Sequence, residues 1–284
     1  MPGVPSLVLL HGWTATSALN WMTAYGPLGR RFHVVALDQR GHGRGIRTLP
    51  LRGFRLADCA DDVAALADAM DLGQIIPVGY SMGGPVAQLT WKRHRDRVAA
   101  LVLCATAADF GLRMTAGGAR PAIARFAMTG GVAGAATALR TLPPPLRRRV
   151  AMAGLGWRRQ AIGLPDWALD DVSRNDPAAL LEGFPAIQRF NSLPWLGTVD
   201  VPTAVIVTTR DRVVAPRRQR ALADAIPGSR TWAVGGDHAA CVTDAGRFVP
   251  ALVDAVSWVM RSAAVGVGAP SGLSGDGAAV ATGR

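Results

Sequence analysis

Six short apolar runs, each closing on a polar or glycine-rich turn, constrain this chain more than any other feature. They are SLVLLHG (6–12), FHVVALD (32–38), IIPVGYS (75–81), AALVLCAT (99–106), TAVIVTTRD (203–211) and SRTWAVGGDH (229–238). Continuous apolar runs of this length suit strands buried on both faces of a parallel sheet. Helical patterns lie between them. LADCADDVAALADAM (56–70) places Leu56, Val63, Leu66 and Met70 on one face. PRRQRALADAI (216–226) opens on a proline, which a first helical turn accepts. Strand alternating with helix predicts an α/β fold with a mostly parallel, doubly wound sheet.

The alternation breaks between 107 and 195. There ARPAIARFAMTG, PPLRRRVAMAGL, PDWALDDVSR and DPAALLEGFPAIQRF read as helices inserted between two strands. The expected organisation is a core of 1–106 and 196–263, a helical insertion over 107–195, and a disordered Gly/Ala/Ser tail over 264–284.

Composition narrows the function classes. The net charge is +11, yet Lys92 is the only lysine and the arginines are scattered. The dense spots, Arg147-Arg148-Arg149 and Arg217-Arg218-Gln219-Arg220, lack the interleaved aromatics of a single-strand binder, so no nucleic-acid partner is expected. Cys59, Cys104 and Cys241 are far apart and odd in number, which argues against a disulfide framework or a zinc site. No signal peptide is recognisable, and no run approaches about 18 uninterrupted apolar residues. The expected location is cytoplasmic.

In an open parallel sheet, ligands bind beyond the carboxyl ends of the strands. Those ends deliver His11-Gly12-Trp13, Asp38 with QRGHG, Ser81, Asp211 and His238. A serine hydroxyl is a poor nucleophile until a base within about 2.6–3.2 Å takes its proton. His238 can act as that base, and Asp211 or the rival Asp109 can orient it. A tetrahedral oxyanion needs preorganised donors. The Met82 N–H, at a strand-to-helix turn, and the Trp13 N–H, just after the first strand, can supply them.

Gly79-Tyr80-Ser81-Met82-Gly83 resembles the nucleophile elbow of the α/β-hydrolase fold. HGW, DQRGHG, RDRVV and GGDHAACV are also similar to that superfamily, in the same order, over about 6–263. The resemblance implies Ser81 as nucleophile, Asp211 as acid, His238 as base, and the Trp13 and Met82 amides as oxyanion hole. It implies that 107–195 is a helical lid, with Trp157, Trp167 and Trp195 lining an acyl pocket or packing the lid. His11, Arg40 and His42 read as structural, and Cys241 as a packed apolar group. The family's sheet normally has two strands ahead of the His-Gly strand, and this chain starts at that strand. FHVVALD is therefore expected to form an exposed edge.

The activity this implies is hydrolysis of a carboxylic ester, lipid or small-molecule, with no metal or organic cofactor. Two alternatives stay open. One is acyl transfer or cofactor-free perhydrolysis by the same triad, and the other is a non-catalytic ligand-binding protein on this fold. The insertion carries eleven arginines against six acidic residues, and LPPPLRRRVAMAGLGWRR within it mixes basic and apolar residues. Peripheral contact of this lid with a membrane is a further expectation.

Overall fold

The six apolar runs form one six-stranded, all-parallel sheet in a computed structural model of the 284-residue chain. The structure describes residues 4–47, 53–111, 134–139, 141–143, 145, 146, 149 and 166–267. The strands are β1 (Ser6–Leu10), β2 (Val34–Leu37), β3 (Ile75–Tyr80), β4 (Leu101–Cys104), β5 (Thr203–Thr208) and β6 (Arg230–Val234). Their order is β2-β1-β3-β4-β5-β6. The chain winds one way from β1 to β2 and the other way from β3 onward. The switch point therefore falls between β1 and β3, where a doubly wound sheet opens its crevice.

The named helices are α1 (Ser17–Gly29), α2 (Leu56–Ala69), α3 (Gly83–Arg93), α4 (Asp166–Ser173), α5 (Pro177–Arg189), α6 (Leu193–Leu196), α7 (Pro216–Asp224), α8 (Ala240–Thr243) and α9 (Ala245–Val267). Successive strand side chains point to opposite faces, which makes two cores. Val8, Leu10, Leu101, Leu103, Val205 and Val207 meet α2, α3 and α7 on one face. Leu7, Leu9, Ile76, Val78, Val102 and Ile206 meet α1 and α9 on the other. The long helix α9 is apolar and long enough to cross a membrane by length and composition. Phe248, Leu252, Ala255, Val256 and Val259 bury one stripe of it against the sheet.

Some expectations need correcting. β2 lies at a sheet edge, as expected, but its four residues are half-buried or exposed rather than enclosed on both faces. β6 is the opposite edge and is mostly exposed. The buried stripe of α2 is Leu56, Cys59, Ala60, Val63, Ala64 and Ala67. Met70 lies past the helix end and is 47% exposed, so its predicted place on the buried face is not realised. The small residues win that face because α2 packs closely on α3. Helix α9 continues to Val267, so the tail expected to be disordered from 264 begins as helix. Ala263 and Ala264 are strong helix formers. The remainder of that tail lies outside the described residues.

The ends of the insertion meet. Asp109 pairs with Asn191 in an antiparallel bridge, and the Ser192 N–H donates to the Ala108 carbonyl at 2.8 Å. Helices α4 and α5 match PDWALDDVSR and DPAALLEGFPAIQRF. Asp176 caps α5 by accepting the Ala178 N–H. ARPAIARFAMTG and most of the basic stretch 142–159, with Trp157, lie outside the described residues.

Candidate active site

Ser81 follows β3 directly, beside the switch point. Its φ is +52°, a left-handed conformation that costs a non-glycine residue about 1–3 kcal/mol. The surroundings hold it there. The Ser81 N–H donates to the Cys104 carbonyl at 2.9 Å, and its own carbonyl accepts from the Thr106 hydroxyl at 2.8 Å and the Gly84 N–H at 2.9 Å. The turn leaves no room for side chains beside the serine. A Cβ on Gly79 would strike the Gly83 carbonyl, and one on Gly83 would strike the Leu10 carbonyl of β1. Chain direction reverses into α3, so the serine stands at the helix N-terminus.

His238 sits in the loop after β6 and joins two partners. Its Nε2 lies 2.9 Å from Ser81 Oγ, and its Nδ1 lies 2.8 Å from Asp211 Oδ2. The Asp211 side chain is wholly buried, and the His238 side chain is 22% exposed. Burial by itself would raise the Asp211 carboxyl. The hydrogen bonds and charge of His238, with donors at Val214 and Thr208, outweigh burial and hold it below its ordinary value. An ionised Asp211 facing Nδ1 places the imidazole proton on Nδ1. Nε2 is then free to accept from the serine.

Met82 is fully buried at the start of α3. The His11–Trp13 turn abuts Ser81, since a Cβ on Gly12 would lie 3.3 Å from the Ser81 Cβ. Among the described residues, neither the Trp13 nor the Met82 backbone N–H meets a protein acceptor. His11 is buried and built into the loop. Its Nε2 accepts the Gln39 N–H at 2.9 Å and its Nδ1 donates to the Gly12 carbonyl at 2.8 Å. Burial lowers its pKa to about 4, and that of the adjoining His42 to about 3. Arg40 pairs with Asp62 at 2.6 Å. Cys241 is buried, which pushes its thiol up to about 12.

Asp109 is engaged elsewhere. Its Oδ1 accepts the Gly111 N–H at 2.7 Å, in a local turn. Of the three tryptophans, the structure does not bring Trp195 to the serine. It stacks on Trp91, in the last turn of α3, at a centroid distance of 5.9 Å. Trp167 is 47% exposed on α4. Among the described residues of the insertion, Phe184 of α5 reaches the loop after β1, with its ring 5.5 Å from that of Trp13, and Asn175 Nδ2 donates to the Thr14 carbonyl at 3.0 Å. The Trp13 indole N–H also donates to the Leu180 carbonyl of α5 at 3.1 Å.

Four further residues shape the site, and reading the sequence missed them. Thr208 and Gln219 both contact Asp211. Asp237 Oδ1 accepts the N–H groups of Arg212 and His238, tying the acid loop to the histidine loop. The Tyr80 hydroxyl donates to the His238 carbonyl at 2.8 Å. A signal existed for Gln219. It lies three and four residues before the buried Leu222 and Ala223, on the apolar face of an otherwise charged helix.

The doubly wound parallel sheet agrees with the comparisons. The chain matches the alpha/beta hydrolase fold family over residues 5–245 and belongs to it. It is 30% identical over 235 residues to the pimeloyl-[acyl-carrier protein] methyl ester esterase of Neisseria meningitidis serogroup B, covering 80% of this chain and 83% of that protein. It is 37% identical over 97 residues to the putative carbamate hydrolase RutD of Caulobacter vibrioides, only 36% of that protein's length. The fold is also that of an enol-lactonase from Burkholderia xenovorans LB400, with a TM-score of 0.67, 24% identity, and coverage of 90% of this chain and 92% of that one.

Proposed function

We propose that this protein is a serine hydrolase cleaving a carboxylic ester of a lipid or small molecule through an acyl-enzyme on Ser81. The observation that carries the reading is the unbroken line Ser81 Oγ–His238 Nε2 at 2.9 Å and His238 Nδ1–Asp211 Oδ2 at 2.8 Å. A relative named as a methyl ester esterase, matched over most of both chains, supports an ester as substrate.

In the first half-reaction His238 Nε2 takes the Ser81 proton as Oγ bonds to the acyl carbon. The carbonyl electron pair moves onto oxygen. The free N–H groups of Trp13 and Met82 would receive that oxyanion, a contribution of roughly 3–4 kcal/mol per donor. Asp211 stabilises the imidazolium. The tetrahedral species collapses, the ester C–O bond breaks, and His238 returns the proton to the departing alkoxide. In the second half-reaction His238 deprotonates water, which attacks the acyl carbon. Ser81 Oγ leaves with the proton, and the acid is released.

The test is a series of p-nitrophenyl esters of increasing acyl length, with Ser81→Ala as the comparison and fluorophosphonate labelling of both proteins. Wild type should release p-nitrophenol and form one adduct on Ser81. The variant should lose about 10⁶ in kcat and all labelling. Undiminished turnover by Ser81→Ala would sink the reading.

A further inference from the structure

We infer that Thr208, the last residue of β5, and Gln219, on α7, form a buried donor cradle that fixes Asp211 as an acceptor for His238. This rests on the ester-hydrolase reading above and adds two positioning residues to it. Both side chains are fully buried, as a polar group is only when its partners are supplied.

The network determines its own hydrogen positions. The Thr208 N–H donates to Gln219 Oε1 at 3.0 Å, and Gln219 Nε2 donates to the Val214 carbonyl at 2.7 Å. Turning the amide over would set N–H against N–H and oxygen against oxygen, so its orientation is settled. The one hydrogen left on Nε2 is shared between the Thr208 hydroxyl at 2.9 Å and Asp211 Oδ2 at 3.1 Å. The hydroxyl, receiving from Nε2, directs its own hydrogen to Asp211 Oδ2 at 2.8 Å, the shorter of its two acceptor contacts, with Gln219 Oε1 at 3.3 Å.

Asp211 Oδ2 thus accepts from Thr208, Gln219 and His238, while Oδ1 accepts from the Val213 and Val214 N–H groups at 2.8 Å each. All five partners donate. A proton on the carboxyl would displace one of them, so the cradle fits the ionised form alone. The cradle also fixes position. Asp211 lies in a loop, whereas Thr208 ends a central strand and Gln219 belongs to a helix packed on that strand. Anchoring the carboxylate to both aims Oδ2 at the imidazole.

Steady-state kinetics on a p-nitrophenyl ester test this with Thr208→Val, Thr208→Ser, Gln219→Met, Gln219→Glu and Ser81→Ala, each checked for folding by circular dichroism and urea midpoint. Thr208→Val and Gln219→Met should each lose about tenfold to a hundredfold in kcat, the effect of removing one donor to a buried charge. KM should stay within about twofold, since the lost contact acts in the transition state. Thr208→Ser keeps the hydroxyl and should return kcat to within about threefold of wild type. Gln219→Glu sets a second carboxylate against Asp211 and should add an acid-side ionisation to the kcat/KM profile, which a merely structural role would not do. If Thr208→Val does not fold, the two Gln219 variants carry the test. Wild-type kcat in folded Thr208→Val or Gln219→Met, with Ser81→Ala inactive, overturns the cradle alone. Equal losses in Thr208→Ser and Thr208→Val also overturn it. Full activity in Ser81→Ala overturns the hydrolase reading and the cradle with it.

Discussion

At the scale of single residues, two aspartates follow strands and either could serve a histidine, yet their surroundings differ completely. Asp211 receives His238 and four other donors. Asp109 receives the Gly111 N–H, a bond that asparagine Oδ1 would keep. Asp211→Asn would present an amide to His238 Nδ1 and favour the wrong tautomer. It should lower kcat by about 10³–10⁴, whereas Asp109→Asn should stay within about threefold of wild type. Kinetics on both variants decide it, and the reverse ranking removes Asp211 from the mechanism. Ser81, Asp211 and His238 were legible in the sequence because each sits in a turn just after an apolar run. Thr208 was not, because it reads as the last residue of a strand. Gln219 was hidden in Arg217-Arg218-Gln219-Arg220, where neighbouring charge suggests a solvated face.

At the scale of elements, the elbow is a packing problem solved by three segments at once. β1, β3 and α3 approach so closely that Gly83 meets the Leu10 backbone. A carbonyl in a central strand cannot yield, so Gly83→Ala should destabilise by about 1–3 kcal/mol despite alanine's better helix propensity. Gly29 offers the contrast. It ends α1, is exposed, and has open space around a built Cβ. Gly29→Ala should be neutral or stabilise by up to about 1 kcal/mol. Urea midpoints of the two variants measure the difference, and equal midpoints would refute the close approach. Element types were readable from run length, closing turns and helical period, but the facing of α2 was not. Pattern favours large side chains, while the close α2–α3 contact selects Cys59, Ala60, Ala64 and Ala67. The edges were likewise hidden in part. The resemblance led to an edge at β2, whereas β6 and the central β5 both read as apolar runs, and only the strand order shows that β6 has a neighbour on one side alone.

At the scale of the whole molecule, the loops at the carboxyl edge of the sheet must hold together for the site to exist, and two buried histidines make that assembly sensitive to acid. His11 and His42 lie 5.1 Å apart, ring to ring, between the loops that follow β1 and β2. The same loops carry the insertion: Gly43 donates to Asn175, and the Gly41 carbonyl accepts from Asp176. Burial holds His11 at about 4 and His42 at about 3, against 6.5 for an ordinary histidine. Above 6.5 both are neutral folded or unfolded, and the shifts cost nothing. Below it the unfolded chain takes up protons that the folded chain refuses, so stability falls down to the folded values. Asp211 acts only lower, because its ordinary value is 3.8 and its folded value lies beneath that. Loss on moving to about pH 5 therefore belongs to histidine and should reach roughly 2–4 kcal/mol. Urea unfolding at several pH values with a constant m-value measures it. A midpoint that holds steady from neutrality to about pH 5 would mean the two rings can be protonated in place.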